Sequence, residues 1–235
     1  AAAMLDLGLD LPERLVALSA SSHSGEAVHL EAVVELLATA GLTPADLQTP
    51  PDFPLDEQER DAWVRSGRAP EPLAMNCSGK HAAMLATCVL LGWPTTTYRA
   101  AEHPLQQAVR ATIERLSGET VGWTGVDGCG APVMSLTVAG LARSMSSSVQ
   151  APAGAPERRV ADAMAAHPEL VGGSRRDVTA FMRAVPGLVA KDGAEGVFVA
   201  ALADGTGIAL KVEDGSDRAR QVALAAILVS LNVEE

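Results

Sequence analysis

Apolar and polar positions along the chain alternate in two styles, a helical one through residues 1–185 and a strand-like one after Pro186-Gly187. Residues 1–8 read as the end of a helix closed by Gly8. Residues 15–20 form a short apolar run of strand length, leading into a polar cluster at 19–26. Leu30, Val33, Val34 and Leu37 recur at helical spacing until Gly41, and Thr43-Pro44 starts another short helix. Residues 49–56, rich in Pro and Asp, predict an exposed loop. Residues 76–93 are the most distinctive: a polar Asn-Cys-Ser-Gly-Lys-His opening runs into an almost wholly apolar helix closed by Gly92 and Pro94. A helix apolar on every face belongs at the centre of a fold.

His103-Pro104 opens an amphipathic helix, with Leu105, Val109, Ile113 and Leu116 on one face. Residues 121–126 predict a strand, the turn Asp127-Gly128-Cys129-Gly130 follows, and a helix is expected over about 132–145. Residues 146–156 read as a connection, and helices are expected at roughly 157–166 and 174–185. Then come three short runs, 188–191, 196–203 and 208–212, separated by Asp-Gly turns that signal hairpins. A final helix is expected over 216–231. A helical lobe beside a strand-strand-strand-helix unit is an α+β arrangement. No long linker divides it, so one two-lobed domain over 1–235 is expected. The chain opens inside an element, with uncapped alanines, so a segment upstream of Ala1 is expected to be missing.

Composition sharpens this picture in three ways. Apolar residues make up 48% of the chain and aromatics only 3%, so the core must be built from aliphatic side chains. The net charge of −11 repels phosphate backbones and anionic lipid heads, which argues against nucleic-acid and membrane partners. The longest uncharged apolar runs, 82–93 and 222–233, fall short of the roughly 18 residues a membrane span needs. Three cysteines make no disulfide framework, and no secretory leader opens the chain, so a cytoplasmic location is expected.

Lysine is scarce: of the 18 basic residues only Lys80, Lys191 and Lys211 are not arginine. Lysine can shed its proton and serve as base, nucleophile or ligand, which arginine cannot. Lys211, beside Glu213 and Asp214, fits an ordinary surface role, whereas Lys80 and Lys191 stand next to glycine in polar clusters. Cys77 opens the apolar helix, where free backbone N–H groups and the helix dipole favour a thiolate. Cys77 and Cys129, 52 residues apart, each sit in a Gly-bearing turn, and two thiolates in a reducing compartment point to metal more than to a disulfide. Simple packing of Cys77, with Ser78 as a helix cap, accounts for the same residues. Cys88, inside the helix, reads as a core residue. The buried, electropositive helix start is expected to disfavour an ammonium on Lys80.

Four segments together resemble a known family: Ser21-Ser22-His23-Ser24-Gly25-Glu26, Asn76-Cys77-Ser78-Gly79-Lys80-His81, Asp127-Gly128-Cys129-Gly130-Ala131-Pro132 and Ala190-Lys191-Asp192-Gly193-Ala194-Glu195-Gly196. In order and coverage they are similar to the Rhizobium etli-type, asparaginase II-like enzymes. The resemblance implies a fold similar to serine β-lactamases and glutaminases, with Ser22-His23-Ser24 and Lys191-Asp192-Gly193 matching their second and third motifs. It implies hydrolysis of L-asparagine through a serine acyl-enzyme, with Ser22 and Lys191 catalytic. Ser24, Lys80, His81, Asp127 and Gly193 would contact substrate. It also implies a zinc ion on Cys77, Lys80 and Cys129, completed by water, and a homodimer. The first motif of that pattern, Ser-x-x-Lys, occurs nowhere in residues 1–235, so little asparagine turnover is expected of them alone. A glutaminase, a β-lactam-recognising relative and a non-catalytic zinc-stabilised scaffold are the alternatives.

Overall fold

The computed structural model describes residues 1–233. Helices come first: α1 (Ala2–Asp6), α2 (Glu13–Ser19), α3 (Ala27–Thr39), α4 (Glu57–Arg65), α5 (Ser78–Leu91) and α6 (Pro104–Ser117). A hairpin of β1 (Thr124–Val126) and β2 (Pro132–Met134) interrupts them, before α7 (Val138–Gln150), α8 (Pro156–Ala166), α9 (Pro168–Val171) and α10 (Asp177–Ala184). The last part is β3 (Val189–Asp192), β4 (Val197–Ala201), β5 (Gly207–Lys211) and α11 (Arg220–Ser230). The protein is α+β, with eleven α-helices and two small antiparallel sheets among the described residues.

The apolar helix is central, as its pattern requires. Every residue of α5 from Ala82 to Cys88 is buried, and α1, α2, α3 and α6 pack around it. Its N-terminal turn comes closest to α2 at Gly79. A Cβ on that glycine would lie 2.8 Å from both Cγ and the carbonyl oxygen of Leu18, so no larger residue fits without moving the helices apart. Gly92 ends α5 in the left-handed conformation, at φ 66°.

The second layer is the three-stranded sheet, ordered β3-β4-β5, with Lys191 opposite Val199 across the first ladder. α7, α8, α10 and α11 pack on it. Phe198 and Ala200 of β4 are fully buried while Val197 and Val199 are half-buried, the period of two expected of a sheet with unequal faces. One continuous hydrophobic cluster runs from Met4 through α5 to Leu228.

Three local readings need correction. Residues 15–18 are helical, not a strand: the run Leu15-Val16-Ala17-Leu18 is buried all round, and continuous burial erases the periodicity that separates short strands from short helices. Pro132–Met134 does not start a helix but pairs back on Thr124–Val126, and the helix begins only at Val138, capped by the Thr137 hydroxyl accepting from Gly140 N–H at 2.9 Å. Residues 146–150, read as part of a connection, complete that helix. The helix expected over 174–185 forms as α10, and a further short helix, α9, precedes it. Helix α4 carries no apolar periodicity that would predict it from sequence: Asp56 caps it and Trp63 is its one buried residue.

Candidate active site and metal-binding cluster

The four sequence clusters lie far apart in the chain and meet on one cleft of about 1210 Å³. Ser22 lines it from the loop after α2, Asn76, Cys77 and Lys80 from the start of α5, Asp127 and Cys129 from the β1–β2 loop, and Asp192 and Gly193 from the end of β3. Arg176 and Arg220, which no sequence pattern singled out, line it too.

Tight backbone bonds hold the Ser22 loop. Its N–H donates to Val171 O at 3.2 Å, and the next N–H, of His23, donates to Asn76 O at 2.9 Å. The first two clusters are therefore stitched together directly. Ser24 stands behind the wall, fully buried with its Oγ unpartnered. Gly173, at φ 133°, makes that possible, since a Cβ there would collide with the Ser24 side chain.

Beneath Ser22, His23 stacks on His29 with ring centroids 5.1 Å apart. Its Nε2 is 2.9 Å from Ser78 Oγ, which itself donates to Leu73 O at 2.9 Å, so Nε2 carries the hydrogen and Nδ1 is left buried without a partner. Burial first, and the neighbouring His29 second, push the His23 pKa down to about 3. The unfolded chain takes up a proton near 6.5 while the folded protein does not, so stability is full above that pH and falls as acid is added. Through His23, unfolding free energy is expected to start falling near pH 6.5 and to approach a loss of about 1.4 kcal/mol per pH unit below it, down towards pH 3. Urea titrations across that window check this; a flat profile would mean that His23 is protonated in the fold.

The start of α5 and the β1–β2 loop form a compact cluster. One ligand atom each from Cys77, Asp127 and Cys129 lies within 4.8 Å of the others. Lys80 Nζ donates to Cys129 Sγ at 3.3 Å and sits 3.8 Å from Asp127 Oδ2. The Cys129 thiol donates to Asp127 Oδ2 at 2.9 Å. The loop is shaped for this: Asp127 N–H donates to Ala131 O and Gly130 N–H to Asp127 O, both at 2.8 Å, which turns Cys129 inward. The neighbouring Cys129 sulfur first, and then the charge of Lys80, bring the Cys77 thiol down to about 6, while Cys77 and burial push Cys129 the other way. Behind it, His81 Nδ1 pairs with Tyr98 Oη at 2.6 Å, and its Nε2 is buried beside Cys129 without a hydrogen-bond partner.

Lys80 departs from expectation. Burial does disfavour its ammonium, but Cys77, Cys129 and Asp127 outweigh burial and raise its pKa above the ordinary lysine value. The positive end of α5 is thus overridden by the two sulfurs and the Asp127 carboxylate around Lys80, and any metal that took Lys80 as ligand would have to displace a well-held proton. The donor set itself, two sulfurs with an amine and a carboxylate at hand, suits zinc by softness and by number. Cys88 stays in the core, its thiol pushed up to about 11 by burial.

Lys191 lies at the other side. Its Nζ donates to the Asp192 carbonyl and to Asp192 Oδ1 at 3.1 Å, and burial lowers its pKa below the usual lysine value despite that carboxylate. Lys191 does not itself line the cleft, but Asp192 and Gly193 do.

The model of one protein family, described as L-asparaginase II, matches residues 1–235, the whole chain. The chain belongs to the L-asparaginase II family. At the family level it is an asparaginase-like amidohydrolase acting on a small-molecule amide. No curated protein is similar enough to match it. Among the described residues no helix of this family member is long and apolar enough to cross a membrane.

Proposed function

We propose that this chain serves hydrolysis of L-asparagine to L-aspartate and ammonia through a serine acyl-enzyme, on a fold of the β-lactamase and glutaminase type. The observation that carries the reading is the convergence of Ser22, Asn76–Lys80, Asp127–Cys129 and Asp192–Gly193 on one cleft. Nothing in the helix packing demands that these four clusters share a wall, whereas an amide substrate with three polar groups does.

In this reading the attacking serine belongs to the Ser-x-x-Lys motif that residues 1–235 lack, and the roles below are those of residues present. The Ser22 hydroxyl, on a loop pinned at both N–H and carbonyl, relays a proton towards the departing ammonia. Lys191, compact and partly desolvated beside Asp192 at the cleft edge, adjusts where that proton rests and offers its charge to the substrate carboxylate once it is drawn from Asp192. Asp127, His81, Ser24 and Gly193 shape the substrate's surroundings. A zinc ion on Cys77, Lys80 and Cys129 supplies, when bound, fixed positive charge and Lewis acidity beside the cleft. The protein works as a homodimer in the cytoplasm.

The natural protein at its full encoded length should release ammonia from asparagine far faster than from glutamine, and leave a chromogenic cephalosporin intact. Faster glutamine turnover, or opening of the cephalosporin, would move the assignment to another reaction of the same fold. No turnover of any of the three would leave the scaffold reading standing.

A further inference from the structure

Asp192 is 4% exposed, and three cations meet on its carboxylate. Lys191 donates to Oδ1 at 3.1 Å, while Arg176 pairs with Oδ2 and Arg220 Nη2 reaches the same oxygen at 3.5 Å. Arg220, equally buried, is balanced by Asp177 at 3.1 Å and Asp217 at 2.8 Å, and also points Nη1 at Gly193 O, 3.5 Å away. Three cations thus face three carboxylates, so the network is neutral as a whole. Arg176 does one thing more: its Nη1 reaches Ser22 O at 3.5 Å. A single guanidinium therefore spans from the Ser22 loop to the carboxylate that holds Lys191.

Such a network is poor value as mere stabilisation, because buried ion pairs roughly cancel their own desolvation. Its geometry has a specific effect instead. Ser22 follows α2 and Lys191 lies on β3, in different layers of the fold, and no backbone bond joins the two segments among the described residues. We propose that Arg176 and Asp192 are positioning residues for the reaction described above: Asp192 anchors the Lys191 ammonium, and Arg176 ties that anchor to the Ser22 backbone. The inference rests on the proposed function, since it presumes that Ser22 and Lys191 act together.

The electrostatics around Lys191 make the proposal testable by sign. From its own strand Lys191 faces Asp192, from the turn before α10 it feels Arg176, and Cys77 acts on it at longer range; Arg220 of α11, balanced by Asp177 of α10, reaches it only through the Asp192 carboxylate. Its partner on β4, Val199, is uncharged, and the charged pair of α8, Arg158 and Asp162, lies at the Val189 end of β3. Arg176 lowers the proton affinity of Lys191 and Asp192 raises it. A merely structural role would move both variants alike, or neither.

The test uses the full-length natural protein and the pH profile of kcat/KM for asparagine. Arg176→Gln should displace one limb to higher pH and Asp192→Asn the same limb to lower pH, each by about half a unit or more. Both should lower kcat at least about 10-fold. Arg176→Lys, which keeps the charge without the fork, should lower kcat while leaving the limb in place. Should Asp192→Asn fail to fold, the contrast between Arg176→Gln and Arg176→Lys carries the test by itself. Displacement in the same direction, or none, with a parent enzyme that is active, overturns the positioning role alone. A parent that releases no ammonia from asparagine overturns the proposed function and this inference with it, a result seen before any substitution is made.

Discussion

Lys191→Arg is expected to cut asparagine turnover at least about 100-fold in the full-length natural protein, or about 2.7 kcal/mol in the barrier. The native ammonium is partly desolvated, bound to both the carbonyl and the carboxylate of its neighbour Asp192, and its pKa is already lowered by burial. Arginine stays charged at every working pH and needs a planar fork of acceptors. The Asp192 carboxylate is already shared with Arg176 and Arg220, so a third guanidinium would find no free acceptor there and would be forced into the cleft. Steady-state ammonia release measures the loss. A variant within a few-fold of the parent would return Lys191 to a structural part in the ion network.

Metal content should respond as sharply. The purified natural protein is expected to carry close to one zinc per chain, and Cys77→Ala or Cys129→Ala to lose most of it. Each substitution removes a sulfur from a cluster whose ligand atoms lie within 4.8 Å of one another, and no other cysteine can replace it, because Cys88 is sealed inside α5. Lys80→Met should weaken binding more than Asp127→Asn if the lysine is the third ligand and the aspartate orients the Cys129 sulfur through its 2.9 Å hydrogen bond. Weaker binding than at an all-thiolate site is expected, since loading must expel the proton that Cys77, Cys129 and Asp127 hold on Lys80. Elemental analysis after gentle purification reads the parent and all four variants. Full zinc in both cysteine variants, or none in the parent at micromolar metal, would return the cysteines to packing.

Much of the fold was legible because it rests on local rules. The all-apolar run after Lys80 could only be a central helix, and Gly92 could only end it. The Asp-Gly turns after residue 191 announced the three-stranded meander, which forms with Lys191 on its edge strand. The run at 15–18 misled because complete burial removes the alternation on which strand and helix are told apart. The Pro132 strand misled for a different reason: its partner is the hairpin's other arm, and pairing is a tertiary choice.

The candidate site divides along the same line. Glycine beside Cys77, Cys129 and Lys191 marked those residues in the chain, because reactive groups near a ligand need backbone that can approach closely. Arg176 and Arg220 carried no such mark; an arginine in a charged stretch looks the same whether it faces water or a buried carboxylate. Local composition and periodicity, which act between residues a few positions apart, determined the central helix, the terminal sheet and the identity of the reactive side chains. Which of those side chains share a wall, that Asp192 gathers three cations, and that Lys80 is more firmly protonated rather than less were decided by the tertiary structure alone. Burial and charge act through space, and the groups that set them lie 49 residues away for Lys80 and its Cys129 partner, and 154 for Arg176 and Ser22.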